Sequence, residues 1–306
     1  MAKLKERIGF ALDESRMLVL GTQILLGFQF RSVFEPAFES LPRSSQTLKM
    51  FGLVILLVAI AFMMSPGSFH RIVRSGSDAE DVHSFATTVM DFALVPFALA
   101  LVVDVYTSMG RILGMAGGVG VAALMGSTAL LLWYGLGLIA RPKEKMHTGK
   151  KSEETTRAQP TSLKDKIDHA LTEARVVLPG AQALLGFQFL TMFMEAFDKL
   201  PNSSKYIHMA SLTLMALTMI VLMTPAAFHR IATSGEDTKR VHQVASACLL
   251  VAMIVLPLGI VGDVYIVFLK VFASEAIAFT VAIAVLLFFY SVWFGYTLYR
   301  RAQIRS

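Results

Sequence analysis

The chain has 306 residues, of which 55% are hydrophobic and 16% charged, with mean hydropathy +0.61 and a formal net charge of +6. Soluble domains run near 25% charged, so this balance excludes an ordinary water-soluble fold and points to a membrane protein. The single cysteine, Cys248, excludes an intramolecular disulfide and a thiolate metal cluster, and reads as a small apolar residue.

In chain order, residues 3–12 come first. Leu4, Ile8, Ala11 and Leu12 form one stripe with Lys3, Lys5, Glu6 and Arg7 outside it, the pattern of a short amphipathic helix in the headgroup plane, favoured over a cytosolic extension of the first membrane helix. Glu14 to Phe30 then reads ESRMLVLGTQILLGFQF, and Glu173 to Phe189 reads EARVVLPGAQALLGFQF. The offset is 159 residues, and 13 of 26 paired positions from Asp13/Thr172 to Phe38/Phe197 are identical. The chain is therefore two copies of one unit. Repeat two carries the same leading stripe, at Leu163, Ile167, Ala170 and Leu171.

Eight apolar segments follow, at 17–34, 48–64, 84–107 and 112–140, and again at 176–194, 206–224, 243–268 and 272–299. A bilayer core needs about 17–25 helical residues, so each is long enough to cross. Continuous hydropathy favours helices over barrel strands. Pro66 and Pro225 are expected to end the second helix of each repeat. Residues 141–162 are polar and charged, and read as a flexible cytoplasmic linker between a first repeat at 1–140 and a second at 163–306.

The expected fold class is an all-α membrane protein with eight transmembrane helices, arranged as two parallel four-helix repeats, each preceded by an interfacial helix. With the N-terminus inside, the inner segments hold 21 Lys and Arg and the outer loops 7. Both termini are then cytoplasmic, and an even helix count gives the repeats the same polarity.

Several polar groups recur in both copies or lie deep in a segment. Gln23, Gln29, Gln182 and Gln188 are either interhelical hydrogen-bond partners or the lining of a polar pathway. Asp91 lies inside the third segment with Leu250 at the equivalent place; it is a proton or cation site of one repeat, or the partner of an arginine. A second shared block, 65–83 and 224–242, matches at 10 of 19 positions and carries His70, Arg71, His83, His229, Arg230 and His242. Those side chains suit headgroup phosphates and helix C-termini, or pH sensing; the spacing is not that of a metal site. Asp104 and Asp263 close the third helices ahead of Arg111 and Lys270, as surface ion pairs or an outer vestibule for cations. Glu14 with Arg16, and Glu173 with Arg175, mark where the chain turns into the membrane. Gly110, Gly114, Gly118, Ala122 and Gly126 form a close-packing stripe on the fourth helix.

No nucleophile elbow, Walker motif, HExxH or haem-binding cysteine motif is present, so no enzyme activity and no cofactor are expected. The expected partners are the bilayer and a second copy or a membrane-complex subunit, not nucleic acid. At Glu-x-Arg-x4-Gly-x-Gln-x-Leu-Leu-Gly-Phe and Ser/Thr-Pro-x-x-Phe-His-Arg, both repeats resemble a family of small bacterial four-helix membrane proteins of unknown function, some of whose members are labelled sodium:proton antiporters. The resemblance implies a bacterial plasma-membrane location and carries no functional residues. Two functions stand at this stage: a protein that conducts or transports ions or protons, and a non-transporting scaffold or accessory subunit.

Overall fold

The computed structural model describes residues 18–75, 77, 79–131, 134, 162–192, 194–231 and 238–305. Glu14, Arg16, the leading stripe of repeat one and nearly all of the linker lie outside them, as do the side chains of His229 and Arg230. Every element described is helical. In repeat one these are α1 (18–32), the short α2 (Pro36–Glu39), α3 (Arg43–Arg74) and α4 (Glu80–Leu130). Repeat two has α5 (Leu163–Thr191), the short α6 (Glu195–Asp198), α7 (Asn202–Ile231), α8 (Lys239–Phe272) and α9 (Glu275–Tyr290). A π-helical turn, Ser291–Gly295, joins α9 to α10 (Tyr296–Arg305).

Among the described residues six helices are long and apolar enough to cross a membrane: Arg43–Arg74, Glu80–Gly110, Ile112–Leu130, Asn202–Ala226, Lys239–Phe272 and Glu275–Ile304. α5 is not among them, and α1 is described over residues 18–32 alone. α5 carries Glu173, Arg175, Gln182 and Gln188 within its turns, which lowers its hydropathy.

Three expectations need correction. The amphipathic stretch of repeat two is not a separate interfacial helix. α5 runs unbroken from Leu163, capped where Ser162 accepts from the Asp165 amide, and the stripe residue Ile167 is fully buried. The stripe faces protein and simply extends the helix. Nor do Pro66 and Pro225 end their helices; α3 continues to Arg74 and α7 to Ile231. Proline removes one N–H, which leaves the Phe62 carbonyl without its usual donor, and the Ser65 hydroxyl donates to that carbonyl at 2.8 Å. Finally, the glycine stripe is not one helix face. Gly114 has φ +72° and ψ 175°, a conformation open to glycine alone, and the chain reverses there. After the reversal Gly118 comes onto the backbone of Gly110, Gly126 packs on Val102, and the Tyr134 hydroxyl donates to the Asp91 carbonyl at 2.6 Å. These two glycines admit a helix–helix approach that any Cβ would block.

Repeat two reverses at the matched position. Ala273 stands 159 residues after Gly114, adopts φ +50°, and its N–H bonds the Leu269 carbonyl. The returning α9 and the π turn pack on α3 of repeat one. Trp293 is fully buried, donates its indole N–H to the Ala61 carbonyl at 2.8 Å, and meets Phe289 edge-on. The π turn therefore aims an anchor from one repeat into the other. Near the middle of the bundle α1 and α5 touch: Phe187 packs against Gly27 and Phe28, and the Gln23 amide lies on Gly180.

Two matched buried triads and one carboxylate between the repeats

At the end of the bundle that holds α2 and α6, the repeats build the same construction twice. In repeat one the Gln29 amide donates to Asp104 Oδ2, and Lys49 Nζ lies 3.3 Å from Oδ1. In repeat two the Gln188 amide donates to Asp263 Oδ2 at 2.6 Å, and His208 Nδ1 lies 3.0 Å from Oδ1. All three pairs, Gln29/Gln188, Lys49/His208 and Asp104/Asp263, keep the 159-residue offset. Each site takes one residue from the first, second and third helix of its repeat. Burial is deeper in repeat two, where the His208 and Asp263 side chains are 4% and 9% exposed against 14% for both Lys49 and Asp104.

This corrects the surface reading of the two aspartates. Asp104 and Asp263 point into the bundle, and the basic partners described for them, Lys49 and His208, come from the second helix; the side chain of Arg111 lies outside the described residues. Lys270 instead reaches Glu39 of repeat one at 2.7 Å. That hydrogen bond, and then the ammonium charge itself, hold the Glu39 carboxyl below its usual range. Sequence reading also missed Lys49 and His208. The signal existed: they are two basic residues at the repeat offset.

At the opposite end a single carboxylate joins the repeats. Glu173 of α5 is 3% exposed and meets His70 Nδ1 at one oxygen and Arg71 Nε, at 2.6 Å, at the other. Arg71 Nη1 donates on to Ser246 of α8 at 3.1 Å. The His169 ring sits 5.5 Å from that of His70, and His242 lies within electrostatic reach of Arg71, Lys166, Glu173 and His70. α3 delivers its two basic residues here because it passes through Pro66 for two further turns. A cavity of about 20 Å³ beside Glu173, lined in part by Met63, Met64 and Pro66, has room for one water.

The structure thus brings Gln29 to Asp104, Gln188 to Asp263, and His70 and Arg71 to Glu173. Other expected groupings do not form. The four glutamines do not make one strip, since Gln182 is exposed and Gln23 is fully buried between Gly180 and Met64. Glu173 and Arg175 part company, the first inward and the second exposed. Asp91 has an exposed side chain, so it is not an internal carboxylate of the described fold, and His83 is half-buried at the start of α4. Among the described residues no group of three or more His, Cys, Asp or Glu is placed to hold a metal ion.

A family profile described as "Family of unknown function (DUF6328)" matches the chain twice, over residues 3–137 and 158–297. The chain belongs to this family. The two matches correspond to the two copies read from the 159-residue offset, so the family's unit is a single repeat. No curated protein matches the chain, and no solved structure does.

Proposed function

We propose that this member of the family is an eight-span integral protein of a bacterial inner membrane, with two parallel repeats and cytoplasmic termini, that moves protons or small cations. Six spans are long and apolar by themselves. α1 and α5 are the remaining two, helped to stay in the bilayer by the inward pairing of Gln29, Glu173 and Gln188. The excess of 21 basic residues over 7 supports the orientation.

The observation that carries the functional reading is Glu173. An ionisable group buried between transmembrane helices is costly and marks a functional site by default. Here it is held by an imidazole and a guanidinium from the other repeat. A change of its protonation acts directly on the contact between the halves, which is what a proton-linked carrier requires. The test is flux in proteoliposomes under imposed pH and sodium gradients. Wild-type flux that falls at least tenfold in Glu173→Gln supports the reading; no flux of any ion over a range of pH refutes it.

A second reading, a non-transporting scaffold or accessory subunit, is favoured by the close contact of α1 with α5, where Phe187 covers Gly27 and Gln23 covers Gly180. Crosslinking in native membranes supports it if a stoichiometric partner is recovered.

A further inference from the structure

We propose that His208 is a proton-binding site: the imidazole carries two protons and stands in repeat two where the Lys49 ammonium stands in repeat one. The argument begins with the two ring nitrogens. Nδ1 lies 3.0 Å from Asp263 Oδ1, and Nε2 lies 3.0 Å from the Gln188 carbonyl oxygen. A carboxylate and a backbone carbonyl are both acceptors. A neutral imidazole has one N–H and one lone pair, so it satisfies one acceptor and sets its lone pair against the other. Only the imidazolium donates to both. The surroundings add one charge. Asp263 faces the ring from α8, the Gln188 carbonyl from α5, and the Phe197 ring from α6 at 5.2 Å.

The internal comparison makes the same point independently. Repeat one has the same glutamine on the same aspartate at the same offset, and there the third member is a lysine. The construction in both copies is an inward-facing carboxylate, a carboxamide and a monovalent cation. In repeat one the cation is a lysine ammonium. In repeat two it lasts as long as the proton stays on the ring. Of the two matched sites, the one in repeat two therefore holds an imidazole proton that can exchange.

Both the proton's exit and the partner that replaces it have a physical place. The cavity beside the ring, about 10 Å³ and lined by Phe30, Phe34, Gln188, Thr191, His208 and Asp263, is close to the size of one water. Gln188 Oε1 is buried with no partner among the described residues, and so is Gln29 Oε1 in the matched site. A water there accepts the proton from the imidazolium and leaves as hydronium, while the ring keeps its second N–H. What remains is an Asp263 charge without its counter-ion, with either that carboxylate or the Gln188 carbonyl left without a donor, and the loss destabilises the α5–α7–α8 contact.

This deepens the proton-linked reading of the chain, but its test reads the proton on the ring and not flux. The full-length protein is labelled with ¹⁵N-histidine, placed in lipid nanodiscs at neutral pH, and the His208 signals are assigned by their loss in His208→Gln. The expected result is the doubly protonated signature at His208 in the wild type and its loss in Asp263→Asn. Lys49→His is expected to add a second doubly protonated ring, and His208→Lys to give a folded protein that lacks the first. A singly protonated ring at His208 in the wild type overturns the proposal, whether or not Asp263→Asn folds. A doubly protonated ring in a protein without flux leaves the site standing and removes the transport reading; flux with a singly protonated ring does the reverse.

Discussion

Replacing Glu173 by alanine tests whether the contact between the repeats is a true buried ion pair. In the wild type the carboxylate neutralises Arg71, whose side chain is 1% exposed, and meets His70, which is fully buried. After Glu173→Ala the guanidinium keeps only Ser246 as a described partner, and Nη2 already has none. Removing one partner of a buried pair costs about 3–5 kcal/mol, because the other charge stays buried without compensation. At about 1.4 kcal/mol per tenfold, the folded population falls relative to the unfolded by more than about 100-fold. The control is Glu39→Ala at the Lys270 bridge, where the carboxylate is 63% exposed and the pair is worth about 1 kcal/mol at most. Reversible unfolding in mixed micelles measures both. The apolar double variant Glu173→Leu with Arg71→Met should recover most of the loss, since it removes both charges together. A cost below about 1 kcal/mol for Glu173→Ala, or a double variant as weak as the sum of the singles, refutes the reasoning.

Four further outcomes follow from the same structure. Gly114→Ala should cost about 1–3 kcal/mol, because φ +72° with ψ 175° is closed to a side chain. Ala273→Gly, at the matched reversal, should leave stability within about 1 kcal/mol of the wild type, since relief of the left-handed alanine offsets the added chain entropy; the same micelle titration compares them. Trp293→Phe should cost about 0.5–1.5 kcal/mol for the lost indole hydrogen bond to Ala61, and should quench the tryptophan emission that reports the contact between repeats. For pH, the Glu39 carboxyl is lowered by Lys270, so its small stabilisation is complete above the ordinary carboxylate value of 4.5 and is lost as pH falls through the lowered one. The stability gap between wild type and Lys270→Met should accordingly close in acid and stay open at neutral pH.

The repeated sequence, the helical class and some of the inward polar residues, Gln29, Gln188, His70, Arg71 and Glu173 among them, could be read from the chain, because hydropathy and a constant offset are properties of the sequence itself. What could not be read was which face each residue points to. Gln29 and Asp104 are 75 residues apart, Arg71 and Glu173 are 102 apart, and no local period couples them. Asp104 and Asp263 stand near helix ends, where a surface position is the ordinary outcome; the Lys49 and His208 positions opposite them make an inward one affordable. Pro66 suggested a stop, and a serine hydroxyl one residue earlier removed the reason for it. Gly114 sat in a regular four-residue spacing that hid its role as the point of reversal. The matched residue Ala273 gave no hint, since alanine is rarely found there.

The pairing of Lys49 with His208 bears on how a fused duplicate can change. In a symmetric dimer of one repeat unit, any substitution appears twice, so both sites must tolerate it at once. Once the copies share a chain, each site mutates alone. One can keep a fixed charge and continue to hold its helices together, while the other trades permanence for a group that answers to its surroundings. Fusion in this sense divides labour between copies that began with the same task.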